Sequence, residues 1–206
     1  MKKLLVFLLT ICFTITALSS CDLNKGNKVD EYAEKTYADL SSAAELCKTV
    51  KTAVYGAWYF SVYEAENYGY EDILVHYTNR TGISGETIFE AANLMGYNEI
   101  LVLFSFSDLN FTLTITYTAL RLKGTTSDLE SALKKAKLNL DAIAENFKEY
   151  EHYSNLKSLY VKIDAYSEKL LNPDSMNIFQ LKEHIDKYES EITELLFKLD
   201  FLVVLN

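Results

Sequence analysis

From Ile178 to Leu202 the chain places Ile178, Leu181, Ile185, Tyr188, Ile192, Leu195, Leu199 and Leu202 alternately three and four residues apart. On a helix of 3.6 residues per turn that spacing draws one continuous apolar stripe, of coiled-coil grade over more than three heptads. Such a helix must bury its seam against others along its length. Two earlier stretches repeat the pattern. Leu129, Leu133, Ala136, Leu140, Ile143, Phe147 and Tyr150 follow the same spacing, and Leu156, Tyr160, Ile163 and Leu170 resume it after a phase slip. A turn or kink is therefore expected near 150–154, and Asn172-Pro173-Asp174 stops the second of these helices. Short links between consecutive helices imply antiparallel neighbours. A further long amphipathic helix is expected from Asp30 to Asn67, with Leu40, Cys47 and Val54 at sevens and Ala44 and Trp58 alongside.

The middle of the chain reads less simply. Residues 67–85 are rich in Asn and Gly and read as loop, with one short helix at 71–77. Ser84 suits a cap for a helix running to Met95, closed by Gly96. From Leu109 to Thr118 apolar residues alternate strictly with Asn110, Thr112, Thr114, Thr116 and Thr118, which is a strand signature. No other segment offers a third strand, however, and a lone hairpin is marginal. A buried central helix over 99–122 is the preferred reading, with a β-hairpin turning at Ser107-Asp108 as the alternative. Ser127-Asp128-Leu129-Glu130 has the pattern of a capping box before the next helix. One Pro and seven Gly in the whole chain disfavour a many-stranded fold. The expected architecture is all-α: an elongated up-and-down bundle of about five to six helices forming one domain over 30–206.

The N-terminus carries an address. Lys2 and Lys3 precede a run from Leu4 to Leu18 that is apolar apart from Thr10, Thr14 and Thr16, too short for a membrane span of roughly 20 residues. Leu18-Ser19-Ser20-Cys21 follows. This segment resembles the signal peptide and lipobox of bacterial lipoproteins, a resemblance confined to residues 1–21. It implies that diacylglycerol is attached to the sulfur of Cys21, that residues 1–20 are removed, and that palmitate-type acyl chains hold the product on a membrane. Two acyl chains bind far more firmly than one, at about 0.8 kcal/mol per buried methylene. Residues 21–29 would then be the lipidated cysteine and a short polar tether, and the protein an extracytoplasmic, membrane-anchored component of the cell envelope.

The chain carries a net charge of −9, and loss of Lys2 and Lys3 with the signal would take it to about −11. That sign repels phosphate backbones, so nucleic acid is not an expected partner. With Cys12 removed and Cys21 alkylated, Cys47 alone remains, and its helical neighbours make it a small buried hydrophobe. No H-E-x-x-H, C-x-x-C, G-x-S-x-G or phosphate-binding glycine loop occurs. No catalytic residue, metal site or cofactor is expected on that ground.

One stretch departs from helix filler. Tyr63, Glu64, Glu66, Tyr68, Tyr70, Glu71 and Asp72 cluster around a loop, and Tyr77 and Arg80 lie beyond. Tyrosines supply rigid amphipathic contact area, and acids beside aromatic faces suit a cationic peptide or amine. These seven residues are the candidate ligand surface. The leading expectation is a non-catalytic binding module for an envelope protein or peptide. The alternative is an enzyme or small-ligand carrier with a pocket inside the bundle, in which Asp72, His76 and Glu64 are the residues to test.

Overall fold

The computed structural model describes the backbone of residues 2–173 and 176–204, and side chains over 28–173 and 176–200. The described residues are all-helical. Eight α-helices follow one another: α1 (Lys2–Tyr59), α2 (Ile73–Thr81), α3 (Gly85–Leu94), α4 (Glu99–Ser105), α5 (Leu109–Leu122), α6 (Thr125–Asn146), α7 (Tyr153–Leu171) and α8 (Ile178–Val204). Among these residues no helix is long and apolar enough to cross a membrane.

Four long helices form the body. Tyr32 meets Phe147 and Asp39 meets Asn139, so α6 runs antiparallel to α1. Lys162 pairs with Glu191 and Tyr166 bonds to Glu189, which sets α8 antiparallel to α7. Tyr37 reaches Asp200 and Lys51 reaches Glu189, which sets α8 antiparallel to α1 as well. The order is therefore up, down, up, down, as the short links imply. The expected seams face inward: Leu40, Ala44, Cys47, Val54 and Trp58 of α1, Leu129, Ala136 and Ile143 of α6, and Ile178, Leu181, Ile185, Ile192 and Leu199 of α8 are buried. In α7, Leu159 and Tyr166 join Leu156, Ile163 and Leu170 inside. The Leu202 side chain lies outside the described residues, as does that of Cys21.

Helices α2 to α5 form a head on the far end of α1. Phe60, Tyr77, Phe106 and Phe111 build its centre, with Phe60 edge-on to both Tyr77 and Phe106. The alternating segment 109–118 is helical, so the hairpin alternative is not realised. Its threonines explain why. Thr114, Thr116 and Thr118 each donate to the carbonyl four residues back, and Thr112 donates to Phe106 O. A hydroxyl with a backbone acceptor can be buried, as Thr116 is by bonding within its own helix and Thr112 by bonding to the end of α4. The single central helix expected over 99–122 is instead two, because the Asp108 carboxylate accepts from the amides of Asn110 and Phe111 and starts α5 afresh. This break, together with α2, raises the helix count above the five or six expected.

Three boundaries differ from the sequence reading. Helix α6 begins at Thr125, not at the Ser127 box; Gly124 in the left-handed region ends α5 and starts α6 in one step, and Ser127 donates back to Gly124 O. Residues 22–29, read as a tether, are helical and continuous with α1, since one glycine and no proline interrupt them. The long N-terminal helix stops being α-helical at Tyr59, earlier than Asn67. The cap at Ser84, which accepts from Thr87 N, and the left-handed Gly96 fall where expected.

Candidate functional site

Past Tyr59 the chain changes its hydrogen bonding twice. Residues Phe60–Glu64 form a π-helical turn, in which the Ala65 amide bonds to Phe60 O, and Ala65–Asn67 form a 3₁₀ turn. Such wide turns concentrate at functional segments. Within this one, Ser61 Oγ is buried and has no hydrogen-bond partner among the described residues. Leaving a hydroxyl unpaired costs about 1–3 kcal/mol, so the turn is held against a local penalty. A bend at 68–72 follows, closed by the amides of Asp72 and Ile73 on Gly69 O, and α2 begins.

The seven candidate residues do not form one surface; they divide into three groups. Glu64 turns toward α2 and grips Arg80 through both carboxylate oxygens. Arg80 also lies over the Tyr59 ring at 4.9 Å, and Tyr59 packs on Tyr63 at 5.0 Å. The carboxylate holds the guanidinium in its charged form. Tyr68 turns inward, stacked on His76 at 3.7 Å with the rings 12° apart, and lies parallel to Phe60. Its role is packing. Tyr70, Glu66, Glu71 and Asp72 project to solvent. Asp72 precedes α2 but makes no side-chain cap there.

The trio Asp72, His76 and Glu64, considered for catalysis, does not converge. Glu64 and His76 share an open cleft of ≈ 300 Å³ with Tyr68, Asn79 and Arg80, and Asp72 is not part of it. A cation or anion entering that cleft must compete with the Glu64–Arg80 pair. Among the described residues no three His, Cys, Asp or Glu side chains group so as to hold a metal ion. Cys47 sits fully buried, and burial pushes its thiol up to about 12, so it is not a nucleophile at neutral pH.

Sequence reasoning missed the neighbouring helix. In α4 only Val102 is buried, while Ile100, Leu101 and Phe104 are 66%, 49% and 59% exposed. Phe104 touches Tyr70 at 4.9 Å, which joins the tyrosine segment to this apolar face, and exposed Tyr97 packs edge-on against Phe111. The signal was present as a run, Ile100-Leu101-Val102-Leu103-Phe104, too apolar for a helix with a solvent side. It read as the start of a buried central helix.

Charge is segregated as well. Residues 60–122 hold eight carboxylates and two cations, Arg80 and Arg121, whereas residues 123–206 hold fifteen carboxylates and eleven cations. The head therefore carries most of the chain's net negative charge. Comparison with protein-family models, with curated proteins and with solved structures returned no match.

Proposed function

We propose that this chain is a cell-envelope lipoprotein whose helical body is a non-catalytic binding module. In this reading residues 1–20 are a signal peptide and Cys21 carries the lipid. The body then stands between the membrane and the head. Val29 and Tyr59 are separated by ~45 Å of helix at 1.5 Å per residue, so the head is held well clear of the anchored end.

The observation that carries the tether is Leu18-Ser19-Ser20-Cys21 after a short apolar run with two lysines in front. The binding role is supported by the head, which holds a π turn and, on α4, exposed apolar side chains. The alternative of a small-ligand carrier draws support from the cleft beside His76, but the existing Glu64–Arg80 pair opposes it.

Two measurements test the reading. Mass spectrometry of the membrane fraction from a bacterial host should find an N-terminal peptide starting at Cys21 with an acyl-glyceryl adduct, and Cys21→Ser should abolish it. An unmodified Cys21 on exported protein removes the tether. Crosslinking in intact cells should capture a protein or peptide through the head, with Tyr70→Ser and Glu71→Lys diminishing the product. Crosslinks confined to the body would remove the binding role assigned to the head.

A further inference from the structure

We infer that the α4 face of the head docks a cationic amphipathic helix, with apolar residues on one side and lysines or arginines along its edges. The inference deepens the binding role proposed above and does not depend on the lipid.

Helix α4 leans mainly on α3, and among the described residues its outer side, with Ile100, Leu101 and Phe104, is uncovered. Ile100 and Phe104 are four residues apart and so lie one above the other, with Leu101 beside them. Tyr70, in contact with Phe104, extends the strip toward α2. A strip of that shape, one helical turn wide and lengthened by an aromatic, fits the apolar side of a helix better than a flat surface.

The rim selects the sign. Glu71 and Asp72 follow Tyr70 directly in the chain and Glu66 precedes it by four residues, Glu99 is in the first turn of α4, and Asp108, three residues past α4, caps α5; all five are exposed. Of the two cations in residues 60–122, Arg80 is already held by Glu64, and Arg121 lies in the last turn of α5, at the opposite end of that helix from Asp108. A second copy of this chain would bring an identical acidic rim against the first, and like charges set opposite one another oppose pairing. An anionic membrane would be repelled in the same way. A partner helix with basic edges satisfies both the apolar strip and the rim, and electrostatic steering would speed its arrival.

The test uses the full chain with residues 1–20 retained, reconstituted with zwitterionic nanodiscs, and disc-bound chain is isolated before the probe is added. The probe is a dye-labelled synthetic helix of about 18 residues with leucines on one face and lysines on the other. Fluorescence anisotropy against chain-loaded discs, with empty discs as the baseline, should give saturable binding that weakens as salt is raised. The paired substitution Ile100→Ser, Phe104→Ser should weaken it at least about tenfold, corresponding to 1.4 kcal/mol. Glu71→Lys with Glu99→Lys should weaken it mainly at low salt. Leu138→Ser, an exposed apolar residue on the body, should leave it unchanged. These are surface positions, and unchanged circular dichroism confirms that each variant folds.

Equal binding of a leucine/glutamate helix, or of a scrambled leucine/lysine peptide, overturns the inference. So does binding that ignores the α4 substitutions. Dimerisation lost on Phe104→Ser would assign the strip to a second copy instead, and Phe104-dependent binding to bare zwitterionic vesicles would assign it to lipid. Each of these results leaves the Cys21 adduct to be judged separately.

Discussion

Gly56 of α1 faces the main-chain carbonyl of Arg80 on α2 so closely that a Cβ at Gly56 would overlap it. Two helices that approach this tightly leave no room for even a methyl group, and the obstacle is backbone, which cannot rotate aside. Gly56→Ala gains up to about 1 kcal/mol of helix propensity. Overpacking against backbone costs about 1–3 kcal/mol, so the clash wins. The expected outcome is a lower thermal midpoint and a loosened Glu64–Arg80 pair. Gly69→Ala is the control, because a Cβ there meets nothing within contact distance and the backbone is not left-handed; it should be neutral or slightly stabilising.

Tyr77 and Thr116 should respond unequally to losing their shared hydrogen bond. The Tyr77 hydroxyl is fully buried against Thr116 Oγ1, and Thr116 also donates to Thr112 O. Tyr77→Phe leaves Thr116 still bonded to its own helix and should cost about 1 kcal/mol. Thr116→Val strands the Tyr77 hydroxyl in the core and should cost more, within about 1–3 kcal/mol. Urea denaturation of the two single variants and the double variant measures the asymmetry, and the double should cost less than the sum.

Stability should fall on the alkaline side. Burial raises the Cys47 thiol from 9.0 to about 12 and the Tyr150 phenol from 10.0 to about 12, and it also raises the phenols of Tyr77 and Tyr166. For these acids the neutral, protonated form belongs to the folded state, so the unfolded chain releases its protons first. Their contribution is complete below pH 9, where both states are protonated, and is lost as pH rises from about 9 toward 12. Denaturant midpoints at about pH 8 and about pH 10.5 should differ accordingly, and Cys47→Ala should move the onset up toward the tyrosine range.

Tyr68 and Tyr70 sit two residues apart and should behave oppositely. Tyr68→Ala removes the stack on His76 and the contact with Phe60, so it should destabilise the fold by about 1–2 kcal/mol. Tyr70→Ser removes an exposed ring and should leave stability within about 0.5 kcal/mol. Thermal melts separate the two, and only the second variant reports cleanly on binding.

The long seams were legible because each is a periodic signal repeated over several turns. Leu40, Cys47 and Val54, or Ile178 through Leu199, cannot face the same way on any structure but a helix. The segment 109–118 was ambiguous for a local reason: alternation of Thr with apolar residues describes a strand, and the backbone acceptors that make Thr112 and Thr116 acceptable inside the core, Phe106 O and Thr112 O, leave no trace in spacing. At the candidate surface, composition located the right neighbourhood but not the direction of its side chains. Glu64 and Tyr68 turn inward because the π and 3₁₀ turns rotate them toward α2. Nothing in the string Tyr63-Glu64-Ala65-Glu66 announces such a turn. The exposed side of α4 was hidden for the opposite reason, since a five-residue apolar run is ordinarily a buried one.

The uneven distribution of charge between head and body bears on posture. Around an anionic leaflet the field decays over roughly 8 Å at physiological salt, far less than the length of α1. A chain gripping that leaflet by its first residues would feel no push while upright. Tipping it flat would press the acidic end into the repulsive layer, while the nearly balanced shaft would feel little. The asymmetry would then act as a righting torque, holding the apolar tip outward where a passing partner can reach it.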